Sequence, residues 1–312
     1  MKLTVASSPH IRGNFKTSRR MLDVVIALIP ALVVGVWQLG LRALVLTAVS
    51  MAAAAAAEWL WSLLLKKRNT LPDCSALVTG ILLALTLPVT CPVWVAAIGS
   101  VFAIVVVKLM CGGLGQNIFN PALAARALLV LVFPVALTRY AEVDAAASAT
   151  PLHHMVQPAL PEESILDMFL GNCPGSIGEL SALALLAGGA YLVWRRVISA
   201  RIPVAYIGTV AVLTLVFHKT DNAIAWMAYS LFSGGLMLGA IFMATDYATS
   251  PVTALGQVLY GIGCGILTVI FRYFGLFPEG VTYAILCMNL LTWALDRYTP
   301  PRRFGTKKGG AA

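Results

Sequence analysis

Two ionisable residues lie inside segments of the chain that are otherwise apolar. Arg126 lies one to two turns after Asn120-Pro121 in a predicted helix, and Asp246 follows Thr245 at the end of another apolar run. A charged group inside a membrane span is costly, and by default it is a functional-site hypothesis with a partner. We therefore predict that Arg126, Asn120, Thr245 and Asp246 contribute to a site for a polar ligand or a small cation. Structural pairing, or extension of Arg126 to the near membrane surface, is the competing explanation.

Three turns accompany these residues. The segments 86–92 and 245–251 are rich in Thr and interrupted by Pro, and the segment 117–120 opens a helix with Asn120 as its N-cap and Pro121 as its first residue. Non-helical backbone at membrane depth is tolerated only where it is buried in protein or lines a cavity. We expect the three turns to line one polar site near the midplane, although a simple tight turn is the alternative for 117–120.

A string of small residues with two hydroxyl groups lies in the segment 138–179. It reads Asp144-Ala-Ala-Ala-Ser148-Ala149-Thr150. The string resembles the target of flavin transferases, in which a Thr hydroxyl is esterified to the phosphate of FMN and small neighbours give the enzyme access to the backbone. Taken alone, such a string in an Ala-rich loop is weak evidence, and a plain loop is the alternative.

Composition places the chain among membrane proteins. Hydrophobic residues make up 59% of the 312 residues and charged residues only 11%, whereas a soluble domain carries about 25% charged residues. Apolar runs of about 20 residues, long enough to span a bilayer, recur along the chain. These features predict an all-α polytopic membrane protein. The net charge of +9 requires no nucleic acid as a partner. From the polar and basic start we expect no cleaved signal peptide, and the six scattered cysteines have no metal-ligand spacing.

We predict about ten transmembrane helices, the third of them broken. They lie near 21–39, 43–65, 75–87, 92–110, 120–137, 180–198, 203–217, 222–243, 253–271 and 281–296. With the N-terminus inside, 17 of the 22 Lys and Arg residues fall on the inner side, 4 on the outer side, and Arg126 within a span. Because Lys and Arg concentrate in cytoplasmic loops, both termini are expected to be cytoplasmic, with the acidic segment 138–179 as an exterior loop.

An internal repeat predicts the architecture of these spans. Residues 80–93 align without gaps to residues 239–252 at an offset of 159, and the same offset relates other predicted helices of the two halves. Five helices per repeat would make the halves enter the membrane in opposite senses, giving an inverted 5+5 repeat with broken helices. The expected divisions are 1–137 for the first repeat, 138–179 for the exterior loop and 180–312 for the second repeat. Chance similarity between apolar segments is the alternative.

Four motifs in one order extend this evidence over the whole chain. They are Ser8-Pro9-His10, Gly112-Gly-Leu-Gly-Gln-Asn117 with Phe119-Asn-Pro-Ala122, Ser148-Ala-Thr-Pro-Leu152, and Met243-Ala-Thr-Asp246. Together they resemble the family that comprises the D subunits of Rnf complexes and the B subunits of sodium-pumping NADH:quinone reductases. The usual family pattern has Ser or Thr at the place of Ala147 and often Gly at that of Ser148, so the present string departs from it at two positions.

The resemblance implies a flavoprotein subunit of the bacterial inner membrane. Such a complex passes electrons between ferredoxin and NAD, coupled to Na⁺ or H⁺ translocation. The resemblance implies covalent FMN on Thr150 within the motif of Asp144, Ser148 and Ala149, and a second, non-covalent flavin, riboflavin, between the helices. Implied partners are the other Rnf subunits (A, B, C, E and G), a maturing flavin transferase and membrane lipid.

Two other functions are compatible with the predicted architecture. Inverted repeats with broken helices also serve solute channels and secondary transporters, and a purely structural anchor for other redox subunits would leave Thr150 unmodified. A flavin-transferase target has no use in a pure channel. The chain is not expected to be a complete ferredoxin or NAD enzyme, because it has neither an iron–sulfur cysteine cluster nor a soluble dinucleotide-binding domain.

Overall fold

Helices make up all the regular structure in the described part of the chain. The computed structural model describes residues 17–66, 70–138, 164–171, 173, 175–275 and 280–300. An N-terminal group of six helices comprises α1 (Thr17–Leu39), α2 (Leu41–Leu64), α3 (Ser75–Leu85), α4 (Val93–Phe102), α5 (Pro121–Val132) and α6 (Pro134–Thr138). A C-terminal group comprises α7 (Ile165–Leu170), α8 (Ala182–Trp194), α9 (Arg201–Val216), α10 (Ala223–Phe232), α11 (Leu236–Leu238), α12 (Ala254–Phe274) and α13 (Gly280–Tyr298).

The apolar runs are interrupted at several points in the described residues. The prediction of one continuous helix over 120–137 is wrong, because α5 ends at Val132 and α6 begins at Pro134, and a residue that precedes proline disfavours helical geometry. Helix α3 ends at Leu85 and α4 begins only at Val93, so the Thr- and Pro-containing segment 86–92 is a non-helical link, as predicted for these residues. The prediction of one continuous helix over 222–243 is wrong, because the pieces Ala223–Phe232 and Leu236–Met243 meet at an angle of 63°. The bend coincides with Ser233-Gly234-Gly235, where Gly234 has a φ of 65° that a side chain would disfavour.

Two segments have the wider π-helical geometry. Ala103–Leu109 continues α4, and Gly239–Met243 continues α11. Short π segments inside helices are rare and frequently occur at functional sites, because the wider turn redirects the side chains that follow it. The residues at the end of each segment therefore lie in directions that a regular helix would not give them.

The two groups pack through close helix pairs. Helix α2 packs against α3 and α4, α12 packs between α9 and α13, and α1 packs against α8, which joins the groups. Small residues allow the closest approaches, as membrane helix packing requires. A Cβ added at Gly80 of α3 would lie 2.7 Å from the Cα of Met51 on α2. The α2–α3 interface thus has no room for even one methyl group there.

Length and surface composition identify a multi-pass helical membrane protein. Helices α1, α2 and α12 are each long and apolar enough to cross a bilayer, and the bent pair around Ser233 would make a fourth span. Five further apolar helices in the described residues have 10–17 residues each. Large apolar side chains point outward, including Trp37 (86% exposed) and Phe274 (86% exposed). Such an outer surface suits hydrocarbon rather than water.

Candidate functional site

A polar pocket lies where the two helix groups meet. Its walls come from the start of α1, the start of α3, the first π segment, the start of α5, the end of α8 and the residues after the second π segment. The pocket is open on one side, and about 890 Å³ of space free of protein atoms lies in and in front of it, open solvent included. Apolar side chains such as Val24, Leu82 and Phe242 alternate in its lining with Ser75, Thr79 and other polar groups. We call this cavity the polar pocket.

Asn120 holds two walls of the polar pocket together. As predicted, it is the N-cap of α5, and its Oδ1 accepts hydrogen bonds from the backbone N–H groups of Ala122 (3.1 Å) and Leu123 (3.4 Å). Its Nδ2 donates to the carbonyl oxygen of Met243, 3.1 Å away at the end of the second π segment. The side chain is 3% exposed in this position. Asn120 therefore fixes the start of α5 against the C-terminal group, and its amide is committed to that contact.

Thr245 and Asp246 line the same pocket from the C-terminal group. The Thr245 hydroxyl donates to the carbonyl oxygen of Ile241 at 2.6 Å. The Asp246 carboxylate accepts long hydrogen bonds from the Ala248 N–H (3.3 Å) and the Thr249 hydroxyl (3.4 Å), which close the turn on itself. These bonds hold the Asp246 carboxylate at the pocket lining and leave acceptor capacity for a ligand.

Lys108 lines the polar pocket, although from the sequence it was predicted only as one of the 17 basic residues on the inner side of the membrane. The first π segment carries its ammonium between Glu58 of α2, with both carboxylate oxygens at 3.0 Å, and the Ser75 hydroxyl at 2.7 Å. Both charged side chains are buried, 3% exposed for Lys108 and 1% for Glu58. The Thr70 hydroxyl also donates to Glu58. The sequence did contain a signal for this pair, because Glu58 and Lys108 both fall within predicted apolar spans, where a charged residue needs a partner.

Arg126 and the first break lie outside the polar pocket. Arg126, 3% exposed, donates a hydrogen bond to the carbonyl oxygen of Thr86. Both residues line a second, smaller cavity together with Glu179 and Thr282. Arg126 is thus not placed beside Asp246. The prediction that both breaks line one site is wrong in this respect, because the 245–251 turn and Asn117–Asn120 border the polar pocket while Thr86 borders the other cavity.

The predicted flavin-attachment string falls outside the described residues. Asp144, Ser148, Ala149 and Thr150 belong to the segment 139–163, which begins directly after α6 and ends one residue before Ser164. Ser164 caps α7 by accepting from the Leu166 N–H at 3.3 Å. The structure therefore fixes the helices on either side of the string, and the attachment itself stays a prediction.

The polar pocket has the chemistry of a ligand site rather than that of a bond-breaking centre. It offers one buried cation (Lys108), one carboxylate (Asp246), hydroxyl groups and apolar walls. Ligand sites typically combine a mainly apolar lining with a few placed polar groups that fix orientation. Among the described residues no group of three His, Cys, Asp or Glu side chains is arranged to hold a metal ion. The arrangement suits an amphipathic ligand with hydrogen-bonding groups.

Comparison with known proteins decides the family. The model of the NQR2, RnfD, RnfE family matches residues 4–305. The chain belongs to this family. The match covers both helix groups, the polar pocket and the undescribed segment between them, so every predicted site residue of this chain lies within the matched region. Its extent also agrees with the four ordered motifs in the sequence, which run from Ser8 to Asp246.

Three curated members of the family are similar to the chain over nearly their full length. The D subunit of the Na(+)-translocating ferredoxin:NAD(+) oxidoreductase complex of Acetobacterium woodii is 48% identical, over 99% of this chain and 97% of the relative. The D subunit of the proton-translocating ferredoxin:NAD(+) oxidoreductase complex of Clostridium ljungdahlii is 41% identical, over 98% and 97%. The D subunit of the ion-translocating oxidoreductase complex of Escherichia coli O127:H6 is 33% identical, over 99% and 100%.

Proposed function

We propose that this chain is the D subunit of a membrane complex that passes electrons between ferredoxin and NAD and couples them to Na⁺ or H⁺ translocation. The observation that carries the proposal is full-length identity of 48% and 41% to two subunits named for this reaction. One of those names specifies Na⁺ and the other H⁺, so the proposal includes both ions. The relatives are subunits, and accordingly the chain acts within an oxidoreductase and translocase rather than as a complete enzyme.

The architecture we propose is an inverted repeat of five spans each. A shift of 159 residues places α3 on residues 234–244, which contain α11 and the second π segment. The same shift places the start of α4 on residue 252, close to the start of α12 at Ala254. The same shift carries α1 onto residues 176–198, which contain α8. Short apolar helices of 10–17 residues are also characteristic of spans interrupted in the membrane. These correspondences support ten crossings.

We further propose that the polar pocket opens toward the cytoplasm and that both termini lie there, in the bacterial inner membrane. Arg20 and Lys108 line the pocket, and the Asp23–Arg195 ion pair joins α1 to α8 near it. These basic residues belong to the side on which 17 of the 22 Lys and Arg residues fall. The bias of Lys and Arg toward cytoplasmic loops supports this orientation.

The covalent cofactor we propose is FMN, esterified through its phosphate to Thr150. Support comes from the string Asp144, Ser148, Ala149 and Thr150 in the acidic segment 138–179, together with membership in the family. A flavin transferase would supply the FMN, since a Thr hydroxyl is not nucleophilic enough to react unaided. The link serves as a tether and takes no part in electron transfer.

The second cofactor we propose is a non-covalent flavin, riboflavin, in the polar pocket. Its fit rests on the lining: apolar walls can contact the ring system, Asp246 can accept from a hydroxylated chain, and Lys108 carries a positive charge. A bound flavin would supply one- and two-electron transfer. The chain's own residues would orient it, with Asn120 and Met243 keeping the two walls of the pocket in register.

Substitution of Thr150 tests the covalent cofactor directly. Thr150→Val keeps the side-chain shape but removes the hydroxyl, so the denatured chain should lose its flavin fluorescence and the mass of one FMN. Ser148→Ala is the matched control, because it removes the neighbouring hydroxyl and should leave the covalent flavin in place. Covalent flavin in Thr150→Val would refute the attachment site. Co-purification of other complex subunits with both variants tests subunit membership separately from modification.

A further inference from the structure

The buried Glu58–Lys108 pair has no assigned function, and its position beside the polar pocket suggests one. Three elements contribute to it: the end of α2, the first π segment and the start of α3. A buried ion pair is weak evidence for stability, because the cost of desolvating two charges offsets much of their attraction. Replacement by apolar residues is often neutral or stabilising. A stabilising role therefore does not explain why this pair is present.

The pair is oriented with its positive end toward the pocket. Lys108 and Ser75, which are 2.7 Å apart, both belong to the pocket lining, whereas Glu58 does not. The cationic partner of the pair therefore belongs to the pocket lining and the anionic partner does not. In a site of low polarity such a fixed dipole acts on a bound molecule more strongly than it would in water.

The first π segment carries this charge, and the residues related to it by the repeat offset are not π-helical. A shift of 159 residues carries Ala103–Leu109 onto residues 262–268, which lie in the regular helix α12. The residue related to Lys108 in this way is Leu267, and the residue related to Glu58 is Phe217. The buried cation of the pocket therefore has no charged counterpart at the position related by this shift, as expected for a residue with a role in a ligand site.

We propose that Lys108, held by Glu58 and Ser75, is a positioning residue that orients the pocket flavin and raises its reduction potential. This inference rests on the proposed presence of a flavin in the polar pocket. Lys108 would hold the carbonyl-bearing edge of a bound flavin, and Asp246 on the opposite helix group would accept hydrogen bonds from its hydroxylated chain. Reduction adds negative charge to that edge, and the ammonium stabilises the reduced form more than the oxidised form.

Two variants should shift the potential in opposite directions. Glu58→Gln is isosteric and removes the carboxylate that pairs with the ammonium. While Lys108 keeps its charge, the pocket becomes more positive and the potential of the non-covalent flavin should rise. The double variant Glu58→Gln with Lys108→Gln removes the dipole, so the potential should fall. We expect about a tenfold change in the ratio of reduced to oxidised flavin in each case, which is about 59 mV for a one-electron couple. Lys108→Arg keeps the charge and should stay close to the wild type.

The measurement uses the full chain purified in detergent. Acid-released flavin per chain gives the non-covalent content, and spectroelectrochemical titration gives its potential. Asp23→Asn is the matched control, because it breaks the Asp23–Arg195 pair, whose residues are not in the pocket lining, and it should leave the potential unchanged.

The possible results separate the inference from the function on which it rests. If the wild-type chain releases no flavin, the proposed second cofactor is wrong. If the wild type holds flavin but the double variant keeps its content and potential, the role of Lys108 is overturned. Opposite shifts together with retention in Lys108→Arg support it, since general damage to the fold would act in one direction only.

Discussion

A single methyl group at Gly80 should loosen both the α2–α3 interface and the polar pocket. The Cβ of Gly80→Ala would lie 2.7 Å from the Cα of Met51 and 3.0 Å from its backbone nitrogen. Carbon atoms in contact are normally about 3.5–4.0 Å apart, so the helix axes would have to separate by about 0.8 Å. The Ser50 hydroxyl, which donates to the Gly80 carbonyl oxygen at 2.7 Å, would be displaced as well.

The structure allows the cost to be estimated. Overpacking of a well-packed interface costs about 1–3 kcal/mol, and each kcal/mol lowers the melting temperature of a protein of this size by about 2–4 °C. The separation would also move Thr79, which follows Ser75 by one turn in the pocket wall. Gly80→Ala should therefore lower both the melting temperature and the content of acid-released flavin.

Gly208→Ala is the matched control for this substitution. Gly208 lies in α9, and a Cβ there would meet nothing within 4 Å. Ala in place of Gly at a compatible helical position is neutral or stabilising by about 0.4–1 kcal/mol. Thermal unfolding of the purified chains in detergent, followed by tryptophan fluorescence, compares the two variants. Equal melting temperatures for Gly80→Ala and Gly208→Ala would refute the packing argument.

Three further predictions concern the pocket and the membrane orientation. Asp246→Asn should reduce non-covalent flavin content or ion-coupled electron transfer and leave the covalent flavin on Thr150 intact. If flavin content and ion-coupled electron transfer both stay normal in this variant, the role of Asp246 is structural. Asn120→Ala should lower the melting temperature by removing a helix cap worth about 1 kcal/mol, and Asn120→Ser should recover most of that loss; no difference between them would exclude the cap as the cause. In a chain without native thiols, a cysteine at Glu163 should react with an impermeant maleimide on intact cells and one at Lys307 should not. The reverse labelling would overturn the orientation.

The fold could be predicted from the sequence wherever a local signal determined it. The start of α5 was predictable because Asn120 and Pro121 are specific for the first turn of a helix. The end of α3 was predictable because Thr86 and the prolines that follow interrupt an apolar run. The bend between α10 and α11 was missed, since the apolar run is continuous there and Gly234-Gly235 is compatible with a membrane helix.

The composition of the site depended on contacts between distant segments. Glu58 and Lys108 are 50 residues apart, and no local pattern pairs them. Lys108 also stands next to a predicted loop, so it was interpreted as an inner-side charge rather than as a pocket residue. Arg126 contacts Thr86 instead of Asp246 because the segment 86–92, and not 245–251, lies against its side of α5. Hydrophobic periodicity does not predict such a tertiary contact.

Membership in an electron-transferring complex is tested most directly by ferredoxin-dependent NAD reduction in membrane vesicles. Cells that lack this chain but keep the other subunits should have lost the activity. Re-expression of the wild-type chain should restore it, and Thr150→Val, expressed at the same level, should not. Full activity in vesicles without the chain would contradict the proposed function, and full activity with Thr150→Val would show that electrons do not pass through a flavin at that residue.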